Sequence, residues 1–143
     1  LLHRDRFEVE DERIFSEMGY GSTIWSPLAS GILSGKYNTG FPEGTRLGMQ
    51  GLEWLRDKMH TDENLHIARE LTVLAQDLGT TLPQLSIAWC LKNKNVSTVI
   101  LGASRKDHLI DNFKALDVVP LLTEEVIQQI ENTVKNKPTP AGF

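Results

Sequence analysis

Two stretches of the sequence bring small, hydroxyl-bearing and cationic residues to the end of an apolar run. Residues 22–37 read STIWSPLASGILSGKY, a short apolar strand that meets Pro27 and turns into a Gly- and Ser-rich loop without a regular period. Residues 96–101 (VSTVIL) run into Gly102, Ala103 and Ser104 and then directly into an amphipathic stretch. Small residues with free backbone amides let an anion approach the main chain. A helix starting at Ser104 would add N–H groups that lack intrahelical partners at the positive end of its dipole. The chemistry predicted is phosphate binding at two strand-to-loop junctions.

Apolar spacing and stop signals predict the elements that carry these junctions. In residues 1–21, Val9, Ile14, Phe15 and Met18 share one face of a surface helix that follows a charged loop and is stopped by Gly19. A strand is predicted at 22–26. The long segment 31–51 is punctuated by Gly31, Gly35, Gly40, Pro42, Gly44, Gly48 and Gly51, and reads as a lid or binding loop without structure of its own. A short helix at 52–59 precedes a long one opened by Thr61, Asp62 and Glu63 and closed by Gly79, with Leu65, Ala68, Leu71, Leu74, Ala75 and Leu78 at helical spacing. Thr81 and Gln84, with Pro83 in the first turn, read as a capping box for a helix to Lys92. The second strand, 96–101, is near-continuously apolar, as in a strand covered on both faces. A helix from Ser104 or Arg105 to Leu116, a last helix capped by Thr123 and running to Val134, and a Pro-containing tail at 137–143 complete the chain. Strands alternating with helical crossovers predict an α/β layout with parallel strands. Two strands leave naked edges, so further strands are expected from elsewhere.

Composition narrows the function classes. With 143 residues, 40% hydrophobic and 24% charged, the chain has the balance of one globular domain, and no apolar run approaches the roughly 18 residues of a membrane span. The net charge of −4, with scattered Lys and Arg, argues against a nucleic-acid partner. The single cysteine, Cys90, excludes an internal disulfide and a cysteine-based zinc site; no metal site is expected. It reads as a small core residue suited to a reducing compartment. No signal peptide, lipidation motif or repeat is evident, and the opening Leu1 predicts that the natural start lies upstream.

The two junctions together closely resemble the last two strand-loop units of aldo-keto reductases. The matching residues are Thr23 to Gly31 followed by Gly35, Lys36 and Tyr37, and Ile100 to Ser104 followed by His108, Asp111 and Asn112. The runs Leu85 to Leu91 (LSIAWCL) and Asn136-Lys137-Pro138 resemble the branch containing the β subunits of voltage-gated potassium channels. The resemblance implies the C-terminal portion of a (β/α)8 TIM barrel, strands seven and eight with flanking helices, over residues 1–143; phosphate sites at that face of such barrels are common. It also implies an NADP(H) cofactor. Trp25 matches the aromatic that stacks on the nicotinamide ring, with a core tryptophan as the alternative. Ser26, Pro27, Leu28, Ala29 and Ser30 match the turn along ribose and pyrophosphate. Lys36 and Arg46 match cations of the loop folded over the cofactor, or are solvated surface charges. Gly102, Ser104 and Arg105 match the cradle of the adenosine phosphate, where a hydroxyl and a helix start suit the 2′-phosphate of NADP. His108, Asp111 and Asn112 match adenine and ribose contacts, His108 being otherwise a surface histidine.

The family's catalytic Asp, Tyr, Lys and His come from the earlier half of its barrel. No catalytic residue is therefore expected in this chain: Tyr20 and Tyr37 belong to the segments around strand seven, and His3, His60, His66 and His108 have no Tyr-Lys pair nearby. The resemblance implies the NADP-binding part of an enzyme reducing aldehydes or ketones, without its catalytic half. The alternatives are a cofactor-binding regulatory subunit docked on an ion channel, and a truncated product without function. A cytoplasmic protein without membrane insertion is expected in each case.

Overall fold

A computed structural model describes residues 1–139; residues 140–143, the end of the predicted tail, lie outside the described residues. In chain order, a π-helical turn (Arg6–Glu10) and α1 (Glu12–Ser16) precede β1 (Ser22–Trp25). Then follow 3₁₀ turns at Ala29–Ser34 and Arg46–Gly48, α2 (Glu53–Met59), α3 (Asp62–Asp77) and α4 (Leu82–Lys92). After β2 (Val96–Ile100) come α5 (Lys106–Phe113), α6 (Ala115–Val118), a 3₁₀ turn (Val119–Leu121) and α7 (Glu124–Val134).

The long helices form where the sequence places caps and apolar stripes. Thr61, Thr81 and Thr123 each accept a hydrogen bond from the backbone N–H three residues on, supplying a partner that the first helical turn lacks. α3 buries Leu65, Ile67, Ala68, Leu71 and Ala75 against α4 and α7. α4 is apolar nearly all round because it is sandwiched: α3, α6 and β2 all pack on it. The predicted capping box is half realised. Thr81 receives the Gln84 N–H, but the Gln84 side chain turns away from the cap and reaches α5 instead.

β1 and β2 pair in parallel, Thr23 with Thr98, Ile24 with Val99 and Trp25 with Ile100, after an irregularity between Ser22 and Thr23. Gly21 lies so close to β2 that an added Cβ would collide with the Ser97 side chain. No third strand pairs with either among the described residues. The expectation that β2 is covered on both faces is therefore corrected: Ser97, Thr98 and Ile100 are exposed, because α4 packs on one face and no helix covers the other among the described residues.

The 31–51 segment is not an unstructured lid. Ile32, Leu33, Tyr37 and Leu47 are buried in the same core as α3 and α4, and the Tyr37 hydroxyl accepts a hydrogen bond of 3.1 Å from the Leu47 N–H. At the N-terminus the predicted single helix is two pieces that bury no residue. Phe7 and Phe15 stack at 4.8 Å, while Ile14 and Met18 are exposed.

A candidate dinucleotide site at the strand ends

Parallel pairing of Trp25 with Ile100 means that both strands end at the same edge, so the loop after Trp25 and the loop after Ile100 leave side by side. The sequence separates them by most of its length, and the sheet brings them together. Trp25, 79% exposed in this chain, presents its ring at this edge. Pro27 is buried and anchors the turn that follows.

That turn is tighter than its composition suggests. Ser26, Ala29 and Ser30 hold φ values of 54°, 48° and 57°, in the left-handed region that costs a residue with a Cβ about 1–3 kcal/mol. The backbone N–H of Ala29 bonds the Ser26 carbonyl, that of Ser30 the Ser26 hydroxyl, and those of Gly31 and Leu33 the Leu28 carbonyl. The expected row of free amides is thus largely used by the turn itself. The Leu28 N–H keeps no partner among the described residues. Lys36 folds back over Gly31, where a Cβ would meet Lys36 Cε at 2.8 Å, and its ammonium lies 5.1 Å from the Tyr37 ring centroid. Arg46 is exposed at the start of its 3₁₀ turn, and no hydrogen bond or ion pair of its side chain ties it to either junction among the described residues.

The second junction keeps its amides. Ala103, Ser104 and Arg105 lie between β2 and α5, and their N–H groups donate to no partner among the described residues. A Cβ on Gly102 would meet nothing within 4 Å, so the main chain there is open to approach. The helix starts later than predicted, at Lys106 with Arg105 as its N-cap, and Ser104 stands just outside it. It also ends earlier. A break at Lys114 separates α5 from α6, so no single helix reaches Leu116.

Along α5, Arg105 Nη2 and His108 Nε2 are 2.9 Å apart, which holds the guanidinium beside the first turn. Asp107 in that turn opposes an anion, and Arg105 offsets it. Asp111 accepts hydrogen bonds from Gln84 and Lys114 through Oδ1. Asn112, only 6% exposed, makes no side-chain hydrogen bond among the described residues. Asp107, His108, Ile110, Asp111 and Lys114 line one shallow depression. His108, Asp111 and Asn112 are therefore gathered on α5, with Arg105 at its N-cap and Ser104 just before it, whereas Arg46 stands apart from them in the hydrogen-bond pattern. The unpartnered amides at 103–105 and the open main chain at Gly102 offer donors and room to an anion such as a phosphate. No sequence signal marks the contact of Gln84 with Asp111; only its buried position on α4 singles Gln84 out.

The structure also joins Lys36, Tyr37 and His60, which the sequence keeps apart: His60 Nε2 is 3.3 Å from the Tyr37 carbonyl oxygen. This grouping makes no proton donor, because the Tyr37 side chain is fully buried and its hydroxyl is engaged by Leu47. Among the described residues no group of His, Cys, Asp and Glu is arranged to hold a metal ion, and no helix is long and apolar enough to cross a membrane.

Parallel strands joined by a helical crossover, with open loops at the strand ends, define an α/β protein, a class in which ligands bind beyond the carboxyl ends of the strands. Residues 7–135 match the Aldo/keto reductase family, and the chain belongs to that family. Over 139 residues it is 44% identical to a probable voltage-gated potassium channel subunit beta of Oryza sativa subsp. japonica, a match that covers 96% of this chain and 42% of that protein. The chain thus spans less than half the length of this relative, and two parallel strands with their helices are consistent with part of the barrel that the family implies.

Proposed function

We propose that residues 1–143 form the C-terminal part of an aldo-keto reductase barrel, its seventh and eighth strands with flanking helices, and that they carry much of an NADP(H) site. In the complete protein this site serves the reduction of aldehydes or ketones. The observation that carries the reading is the register of Trp25 with Ile100, which sets an exposed indole and an amide-rich, open junction at one sheet edge. The cofactor, when bound, supplies the hydride. The chain's own part is binding and orientation. Trp25 offers a flat face for the nicotinamide, the strained 26–30 turn lies along ribose and pyrophosphate, and Lys36 with Arg46 meets phosphate oxygens. Gly102, Ser104 and Arg105 receive the 2′-phosphate at the start of α5, and His108, Asp111 and Asn112 take adenine and its ribose. The proton donor to the carbonyl comes from outside this chain. A buried free thiol at Cys90 accords with a cytoplasmic setting.

The test is dinucleotide preference in the complete protein. Ser104→Ala with Arg105→Glu should weaken NADPH binding by about 2–4 kcal/mol, the loss of two charge-assisted contacts, and leave NADH nearly unaffected. Equal binding of NADPH and NADH by the unmutated protein would sink the reading.

The identity with a probable potassium channel β subunit favours a second reading, in which cofactor occupancy regulates a channel partner. Co-purification of the complete protein with a channel subunit, altered by NADPH against NADP⁺, would distinguish it from an enzyme acting alone.

A further inference from the structure

The least explained contact near the strand ends is made by a residue outside both junctions. Gln84 is buried in the first turn of α4, and its Nε2 donates both to the Asp111 carbonyl oxygen at 3.2 Å and to Asp111 Oδ1 at 3.0 Å. Its Oε1 accepts from the Thr80 hydroxyl at 2.7 Å, which orients the amide so that its nitrogen points at Asp111. Lys114 Nζ also takes Oδ1, at 3.1 Å. Asp111 Oδ2 is left without a hydrogen bond among the described residues. Apolar packing does little to hold this helix, since α5 buries only Asn112. A double contact from one amide to the main chain and side chain of one residue fixes both the rotation of α5 at that point and the carboxylate's orientation.

We propose that Gln84 is a positioning residue for the adenine end of the dinucleotide, occupying Oδ1 of Asp111 so that Oδ2 remains the acceptor for the exocyclic amine of adenine. The proposal rests on the dinucleotide reading above. An ionised carboxylate only accepts hydrogen bonds, and the adenine edge offers its 6-amino group as donor. A base with a carbonyl at that position would set oxygen against carboxylate. The side-chain amide of Asn112, which makes no hydrogen bond among the described residues, supplies an N–H donor for a neighbouring ring nitrogen.

The experiment uses the complete protein and titration calorimetry with two ligands, NADPH and its analogue carrying hypoxanthine in place of adenine. The unmutated protein should prefer the adenine form on the order of tenfold, the loss of one hydrogen bond to a charged group. Gln84→Leu should bring that ratio towards one while the preference for NADPH over NADH, set at the other end of the cradle, persists. Thr80→Val, which removes only the hydroxyl that orients Gln84, should lower the ratio in the same direction and guards against a Gln84 variant that does not fold. A folded Gln84→Leu protein, or a Thr80→Val protein in its absence, that keeps the full adenine preference overturns the positioning role alone. Failure of the unmutated protein to bind either ligand overturns the dinucleotide reading and the positioning role with it.

Discussion

Arg4 Nη1 donates to Glu131 Oε2 at 2.6 Å, joining the start of the chain to α7. The same guanidinium takes both oxygens of Glu8, at 2.8 and 2.9 Å, and lies 5.0 Å from the centre of the Trp89 ring on α4. One buried cation thus ties the N-terminal segment to two core helices, with a planar fork that lysine cannot reproduce.

Removing it strands two carboxylates. Arg4→Met in the complete protein should cost about 2–3 kcal/mol, below the 3–5 of a fully buried pair because Glu8 keeps some solvent. Arg4→Lys should recover less than half of the loss. Chemical denaturation of the three proteins measures this, and an unchanged midpoint in Arg4→Met would show that the fork adds nothing to the packing around it.

Tyr37 anchors the 31–51 segment from within. Tyr37→Phe leaves the buried Leu47 N–H without its acceptor and should cost about 1–3 kcal/mol. Limited proteolysis should then cut faster between residues 38 and 46. Cleavage at the unmutated rate would mean that Ile32, Leu33 and Leu47 hold the loop without the hydroxyl.

Burial pushes the Cys90 thiol above the ordinary cysteine range. For an acid whose pKa is raised on folding, the folded state binds more protons than the unfolded state above the ordinary thiol pKa, so stability falls as pH rises through that region. Iodoacetamide at pH 8 should modify Cys90 only as fast as the fold opens, and Cys90→Ala should lessen the alkaline loss of stability. Stoichiometric alkylation under native conditions within minutes would contradict the burial.

Residues 1–143 expressed alone should neither oxidise NADPH with aldehydes nor run as a compact monomer. Without a positioned proton donor the reaction loses a contribution of about 10²–10⁴ in rate. Among the described residues the two-stranded sheet leaves its outer edges unpaired, and Trp25, Ile100, Ile110, Phe113 and Leu116 stand exposed. Size-exclusion chromatography with a hydrophobic dye reads the second half, and a dye-negative monomer with cooperative unfolding would refute it.

Local chemistry alone determined the positions of α2, α3, α4, α7 and both strands to within a few residues. Threonine caps, glycine stops and apolar spacing act within one or two turns of chain, so they are legible without a fold. The same holds for the two junctions, whose proline, serines and glycines announce a change of backbone direction. Only the tertiary structure decided which of those groups remain free. Ser26, Ala29 and Ser30 adopt left-handed backbone that no glycine advertised, because buried Pro27 on one side and buried Ile32, Leu33 and Tyr37 on the other hold the turn between them. Most of the first junction's amides are used by that turn, and those of residues 103–105 at the second are not. Gln84 reads from sequence as half of a capping box, since its spacing from Thr81 is right. Its side chain goes to Asp111 instead, because α5 packs across the start of α4 and a buried amide bonds the nearest acceptor that its burial allows. The meeting of Arg4 with Glu131 had no local signal at all: two charges that far apart in sequence become partners only when helices stack the chain's two ends together.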